Sequence, residues 1–132
     1  MGNIAHQVRT SYIAGAGSVT YNFAITNAGE ANVITTLSPG ATNIEQDVAF
    51  TVSQLAGLAI QCVGDVTVKV YSGATLGATI TLAAGVGIIY PSAATASAAI
   101  TASSAITTVT KITLSSTAGG LFTWLASINT GA

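Results

Sequence analysis

The chain has 132 residues, half of them hydrophobic, with only three basic and four acidic residues and a net charge of -1. That length buries one core but not two, and that apolar content excludes global disorder. A charged fraction of 5%, against about 25% in an ordinary soluble domain, leaves a surface of Thr, Ser, Asn and Ala that is cheap to desolvate. Such a surface suits a member of an assembly better than a free monomer.

At the N-terminus, Met1 to Arg9 has no basic region followed by an apolar one, so no secretory signal is expected. Gly2 is not followed by Ser or Thr at position 6, which is His6, so the myristoylation pattern fails. Residues 1–12 are expected to form an arm or an edge strand ahead of one sandwich domain over 13–132. His6, Arg9 and Tyr12 are its candidate contact residues.

Period-two alternation follows along the chain and marks strands. Val19, Tyr21, Phe23 and Ile25 alternate with polar or small residues, as do Val48, Phe50 and Val52, then Val66, Val68 and Val70, then Ile80 and Leu82. Later, Ile112 and Leu114 repeat the pattern, as do Phe122, Trp124, Ala126 and Ile128. One apolar and one Thr-rich face per run predicts antiparallel sheets. Gly15 to Gly17, Asn27 to Gly29, Ser38 to Gly40, Ser72 to Ala74, Ala84 to Gly87 and Ala118 to Gly120 read as turns. The fold class expected is all-β, an antiparallel β-sandwich, with the last two runs joined as a hairpin across Thr117 to Gly120.

Ala93 to Ala105 is almost pure Ala, Ser and Thr around Ile100. Its composition permits a helix, but without charged caps or an apolar stripe it reads as a long loop with a short strand near Ile100, and as a candidate contact segment. The apolar stretch Ala83 to Ile89 is too short to span a bilayer, and no polybasic run is present to dock on a membrane surface.

Catalytic chemistry is scarce. The single histidine, His6, sits at the terminus, and no Gly-x-Ser-x-Gly elbow presents a nucleophile. Glu45 and Asp47 share one side of a strand but fall short of the six or so oxygens of a calcium site. Asp65 reads as a turn residue bonding its own backbone, and Lys69 and Lys111 read as lysines that keep strand edges from pairing. Cys62 reads as a small buried hydrophobe, and Phe122 and Trp124 as core anchors. No enzyme activity, cofactor or metal is expected. Arg9, Lys69 and Lys111 are too scattered to bind nucleic acid. Tyr71, Leu121 and Leu125, large apolar groups on polar strand faces, are further candidate contacts.

The strand motifs carry a resemblance. Val52-Ser53-Gln54-Leu55, then Asp65-Val66-Thr67-Val68-Lys69, then the run from Thr79 to Gly85, and finally Val109 to Leu114 follow in an order that resembles small head proteins of tailed bacteriophages. The likeness covers roughly residues 48–128 and rests on short, degenerate motifs. It implies a jelly-roll-like sandwich acting as a cement, or decoration, protein on the capsid exterior. The implied partners are the major capsid protein and further copies of the chain, as a homotrimer, and the implied place of synthesis is the host cytoplasm. The chain departs from the family in its lower charge and in Ala93 to Ala105, where the family has a more polar connection. A tail-tube, fibre or lattice subunit is the second reading. A carbohydrate-binding sandwich using Trp124 or the tyrosines is the third.

Overall fold

The computed structural model describes residues 4–14 and 17–129, and side chains from residue 29 onward. Ten strands run in the order β1 (Ile4–Ala14), β2 (Gly17–Glu30), β3 (Val33–Leu37), β4 (Ala41–Thr51), β5 (Leu55–Cys62), β6 (Val66–Ser72), β7 (Thr75–Leu82), β8 (Gly87–Tyr90), β9 (Thr108–Ser116) and β10 (Gly120–Asn129). A 3-10 turn (Val52–Gln54) follows β4, and one helix, α1 (Ala93–Ile100), precedes β9.

All strand pairs are antiparallel and form two sheets. One has the order β1-β2-β10-β5-β8, with β3 also on β10, and the other has β4-β9-β6-β7. Numbered from β3, the body orders are 1-8-3-6 and 2-7-4-5, successive strands alternating between sheets except at the β6–β7 hairpin, as in a jelly roll. The sandwich expected from the alternation is therefore present.

Between the sheets lie Phe122, Trp124 and Ile60 from the first and Val66, Val68, Val70, Ile112 and Leu114 from the second, all essentially inaccessible. The period-two pattern puts them there, because alternate residues of each strand face the opposite sheet. Cys62 joins them as a small buried hydrophobe. In β5, Leu55, Ala56, Gly57 and Leu58 are buried in succession, so this central strand has no polar face at its start and no alternation to read.

Four sequence expectations are corrected. First, Ala93 to Ala105 is not a loop with a strand: residues 93–100 form α1. Ser92 accepts a hydrogen bond from the Thr95 N–H at 3.2 Å, while the Thr95 hydroxyl accepts from the Ser92 N–H at 3.3 Å, a reciprocal cap made without any charge. Ala96 and Ile100 are buried against the sandwich, and α1 packs on β5, β7 and β8. The connection after it is tied down where Ser103 donates its N–H to the Gly77 carbonyl at 2.8 Å.

Second, β9 and β10 are not a hairpin but belong to opposite sheets. The Asp65 carboxylate accepts hydrogen bonds from the N–H groups of Ala118 (3.0 Å) and Thr117 (3.1 Å), so it staples a distant turn rather than bonding only its own. Gly64 must be glycine there, because a Cβ would collide with the Gly119 carbonyl. Third, Asn27 to Gly29 is no turn but lies within β2, beside a register shift between Ile4 and His6. Fourth, Lys69 and Lys111 lie on β6 and β9, the interior strands of their sheet, so they guard no edge.

Candidate interaction surfaces

The two outer faces of the sandwich differ in charge. On the β4-β9-β6-β7 sheet, the register sets Asp47 opposite Lys111 and Lys111 opposite Tyr71, with Glu45 and Lys69 both opposite Thr113. Lys111 Nζ donates to Glu45 Oε1 at 2.9 Å and stands 5.3 Å from the centre of the Tyr71 ring. Such a pair at the surface contributes less than about 1 kcal/mol, but it keeps this face polar and hydrated.

The other outer face is nearly chargeless. There Ile34 lies opposite Thr123, Leu121 opposite Thr36, Leu125 opposite Ala59, and Ala59 opposite Ile89. Ile34 is 63% exposed, with Leu121 at 48%, Leu125 at 43% and Ile89 at 41%, so four of the exposed large apolar side chains lie on this sheet, with Ile44 of β4 on the other and Val63 and Val86 in connections. Ala59, Gln61, Gly87, Ile89, Thr123 and Leu125 line a shallow groove across it. Glu30, at one corner opposite Ser127, is the charged group on this face among the described residues.

The first sheet continues into a ribbon. β1 pairs with β2 from Ile4–Ala28 to Ala14–Gly17, whereas the described pairing of β2 with β10 runs through Ala28, Gly29 and Glu30. β2 lies beside β1 along most of its length, and its described pairing with β10 reaches Ala28 opposite Asn129. His6 pairs with Ile25, Val8 with Phe23, Thr10 with Tyr21 and Tyr12 with Val19. Gln7 pairs with Ala24, Arg9 with Asn22 and Ser11 with Thr20.

At the root of the ribbon, Ala31 and Asn32 interrupt the lane between β2 and β3. The Ala31 N–H donates to the Ala126 carbonyl at 3.0 Å, and the Ala126 N–H donates to Asn32 Oδ1 at 3.1 Å. The indole N–H of Trp124 donates to the Ala31 carbonyl at 3.1 Å. The joint is thus locked into the core from both sides.

The sequence-derived contact residues fall in three places. Leu121 and Leu125 share the uncharged face. Tyr71 lies on the opposite, charged face, half-buried beneath Lys111, and is not brought together with them. His6, Arg9 and Tyr12 belong to β1, and their side chains lie outside the described residues, as does everything before Ile4. Ile34 and Ile89 were missed, although the short run Val33 to Leu37 carries the strand signal that would have placed Ile34 opposite the buried Val33 and Leu37.

No group of three His, Cys, Asp or Glu residues that would hold a metal occurs among the described residues. No helix among them is long and apolar enough to cross a membrane. Trp124 is fully buried, which removes it as a platform for a sugar ring. Hydrogen bonds from the backbone N–H groups of Ala118 and then Thr117 hold the Asp65 carboxyl below its ordinary range. Burial raises the Tyr90 hydroxyl. A scan of protein-family models finds none that matches this chain, and searches of curated proteins and of solved structures return no match.

Proposed function

We propose that the chain is a structural subunit of a virus particle, a cement protein that binds the outside of a capsid and joins neighbouring units. The observation that carries this reading is the ribbon of β1 and β2, whose described pairing with the body strand β10 runs through Ala28, Gly29 and Glu30. An extended two-stranded ribbon suits a subunit that must reach a neighbour. The jelly roll supplies a rigid base, and the uncharged outer face supplies surface that desolvates at little cost. The phage-head likeness of residues 48–128 supplies the identity of the shell, with the major capsid protein as partner and the chain acting as a homotrimer.

The test is co-sedimentation of the full chain with capsid shells lacking it, beside a chain without residues 1–27. Binding of the first and strong weakening of the second are expected. Unchanged binding of the shortened chain would remove the ribbon from the mechanism. Spontaneous rings or tubes of the full chain, with no affinity for shells, would favour a tail or lattice subunit instead.

A further inference from the structure

We infer that Asp65 is an acid-released bolt: while ionised it fastens two crossings between the sheets at one end of the sandwich, and on protonation it lets that end open. One crossing runs from β5 to β6 through Val63, Gly64 and Asp65, the other from β9 to β10 through Thr117, Ala118 and Gly119. The inference rests neither on the virion reading nor on the ribbon.

The groups aimed at this carboxylate are donors. Oδ1 accepts from the Ala118 N–H at 3.0 Å, the Thr117 N–H at 3.1 Å and the Ser116 hydroxyl at 3.5 Å, and Oδ2 accepts from the Thr117 N–H at 3.3 Å. Ser116 is buried, and its oxygen already accepts the Gly119 N–H at 2.8 Å, so its hydrogen is left for Asp65. A protonated carboxyl brings an O–H that needs an acceptor and meets N–H and O–H donors instead. The site therefore fits the ionised form and conflicts with the neutral one. The same bonds, from Ala118 first and then Thr117, hold the carboxyl below its ordinary range. No other charge takes part. The connections at 38–40 and 83–86 hold no titratable group, nor do Thr42, Thr67 and Ser115 beside the carboxylate. The nearest charged residues along the same two strands are Lys69 on β6 and Lys111 on β9. Lys111 is paired with Glu45, and Asp65 has no cationic partner among the described residues.

The two crossings are pressed together, since Gly64 backs onto the Gly119 carbonyl with no room for a Cβ. The other ties at this end are single backbone bonds. The Gly40 N–H donates to the Thr117 carbonyl at 3.0 Å, the Val63 N–H to the Leu121 carbonyl at 3.1 Å and the Gly85 N–H to the Val63 carbonyl at 3.1 Å. Turning the carboxylate from acceptor to donor thus loosens 117–119 from 63–65. The middle of the sandwich stays shut, because Val68, Val70 and Ile112 are packed there with no exposed surface. The sign follows from the lowered folded value: the bolt is closed above the unfolded pKa of about 3.9 and is released as pH falls through the folded one. This end accordingly stays fastened in mildly acid solution and opens in strong acid, ahead of the rest of the domain.

The experiment follows amide hydrogen exchange of the full chain by nuclear magnetic resonance, each rate taken relative to that of an unstructured amide at the same pH. Between about pH 5 and about pH 2, protection of the Thr117 and Ala118 amides should fall at least roughly tenfold, while that of Val68 and Val70 holds. Asp65→Asn, which cannot ionise, should show no such step. Three results overturn the inference: unchanged protection at Thr117 and Ala118, a loss shared equally by Val68 and Val70, or the same step in Asp65→Asn. Should Asp65→Asn fail to fold, the native chain serves alone, through the carboxyl carbon resonance of Asp65 and the amide resonances of Thr117 and Ala118. These should move together with one midpoint below about 3.9. A midpoint at or above that value, or amides that ignore the carboxyl, overturns the bolt.

Discussion

Trp124→Phe tests whether the joint between ribbon and body is held as described. Trp124 is fully buried, and its indole N–H is bonded to the Ala31 carbonyl at 3.1 Å. Phenylalanine keeps an aromatic ring in the core but has no donor. The half-buried Ala31 carbonyl then loses a partner, at a cost of about 1 kcal/mol. The smaller ring leaves a void on the order of 40 Å³, which at roughly 24 cal/mol per Å³ costs about 1 kcal/mol more. A total near 2 kcal/mol is a large share of the roughly 5–15 kcal/mol that holds a domain folded. Urea unfolding followed by far-ultraviolet circular dichroism should show it as a fall in midpoint of about 1 M at unchanged slope. Asn32→Ala should couple to it, because Asn32 closes the same bulge through Ala126, and the pair should be non-additive by at least about 0.5 kcal/mol. A Trp124→Phe cost below about 0.5 kcal/mol, or strict additivity, would refute the latch: a surface substitution costs no more than that.

The Asp65 staple gives a prediction in pH, and the α1 cap one in stability. Because hydrogen bonds from Ala118 and Thr117 hold the folded carboxyl below its ordinary value, its contribution is full above the unfolded pKa, about 3.9, and is lost as pH falls through the lowered folded value. The native chain should therefore exceed Asp65→Asn in melting temperature by a constant margin above about pH 5, and the margin should shrink in more acid solution; a margin that grew on acidification would contradict the sign. Ser92→Ala removes the reciprocal bond with Thr95 and should cost about 1 kcal/mol, read as a lower thermal midpoint and faster amide exchange over residues 93–100.

What was legible in the sequence was whatever one strand could state by itself. Val66, Val68 and Val70 alternate with polar neighbours, and each is buried with no exposed surface or nearly none. The same holds for Phe122, Trp124, Ala126 and Ile128 of β10. Relations between distant segments were not legible. Ala118 to Gly120 looks like a hairpin turn in isolation, and only the Asp65 carboxylate, more than fifty residues away in sequence, together with the Gly64 contact, shows why it crosses between sheets. The α1 cap was visible in principle as Ser92 and Thr95 behind Pro91, but a search for charged caps passes over a box made of two hydroxyls. Of the contact surface, Leu121 and Leu125 were found because they interrupt a polar face. Ile34 and Ile89 were not, because β3 and β8 are short strands of five and four residues.

Low charge alone does not say where a protein sticks, and the sheet edges narrow it. On one side of the sandwich the edge strands are β7 and β8, and α1 packs against both. On the other side β4 carries Glu45 and Asp47, charges that oppose pairing with a further strand. The lane of β3 is short and broken from β2 at Ala31 and Asn32, where Asn32 supplies a side-chain acceptor in place of a regular ladder bond. Growth of the sheets edge to edge is therefore hindered at each body edge by a helix, by charge or by a bulge. What these edges leave open, among the described residues, is the outer face with Ile34, Leu121, Leu125 and Ile89. A chain that suppresses indiscriminate strand pairing while leaving one uncharged face and one arm is suited to a closed set of contacts rather than to open-ended aggregation. Its scarcity of charge fits the proposed role in an assembly, with Glu45, Asp47, Lys69 and Lys111 all on the β4-β9-β6-β7 sheet.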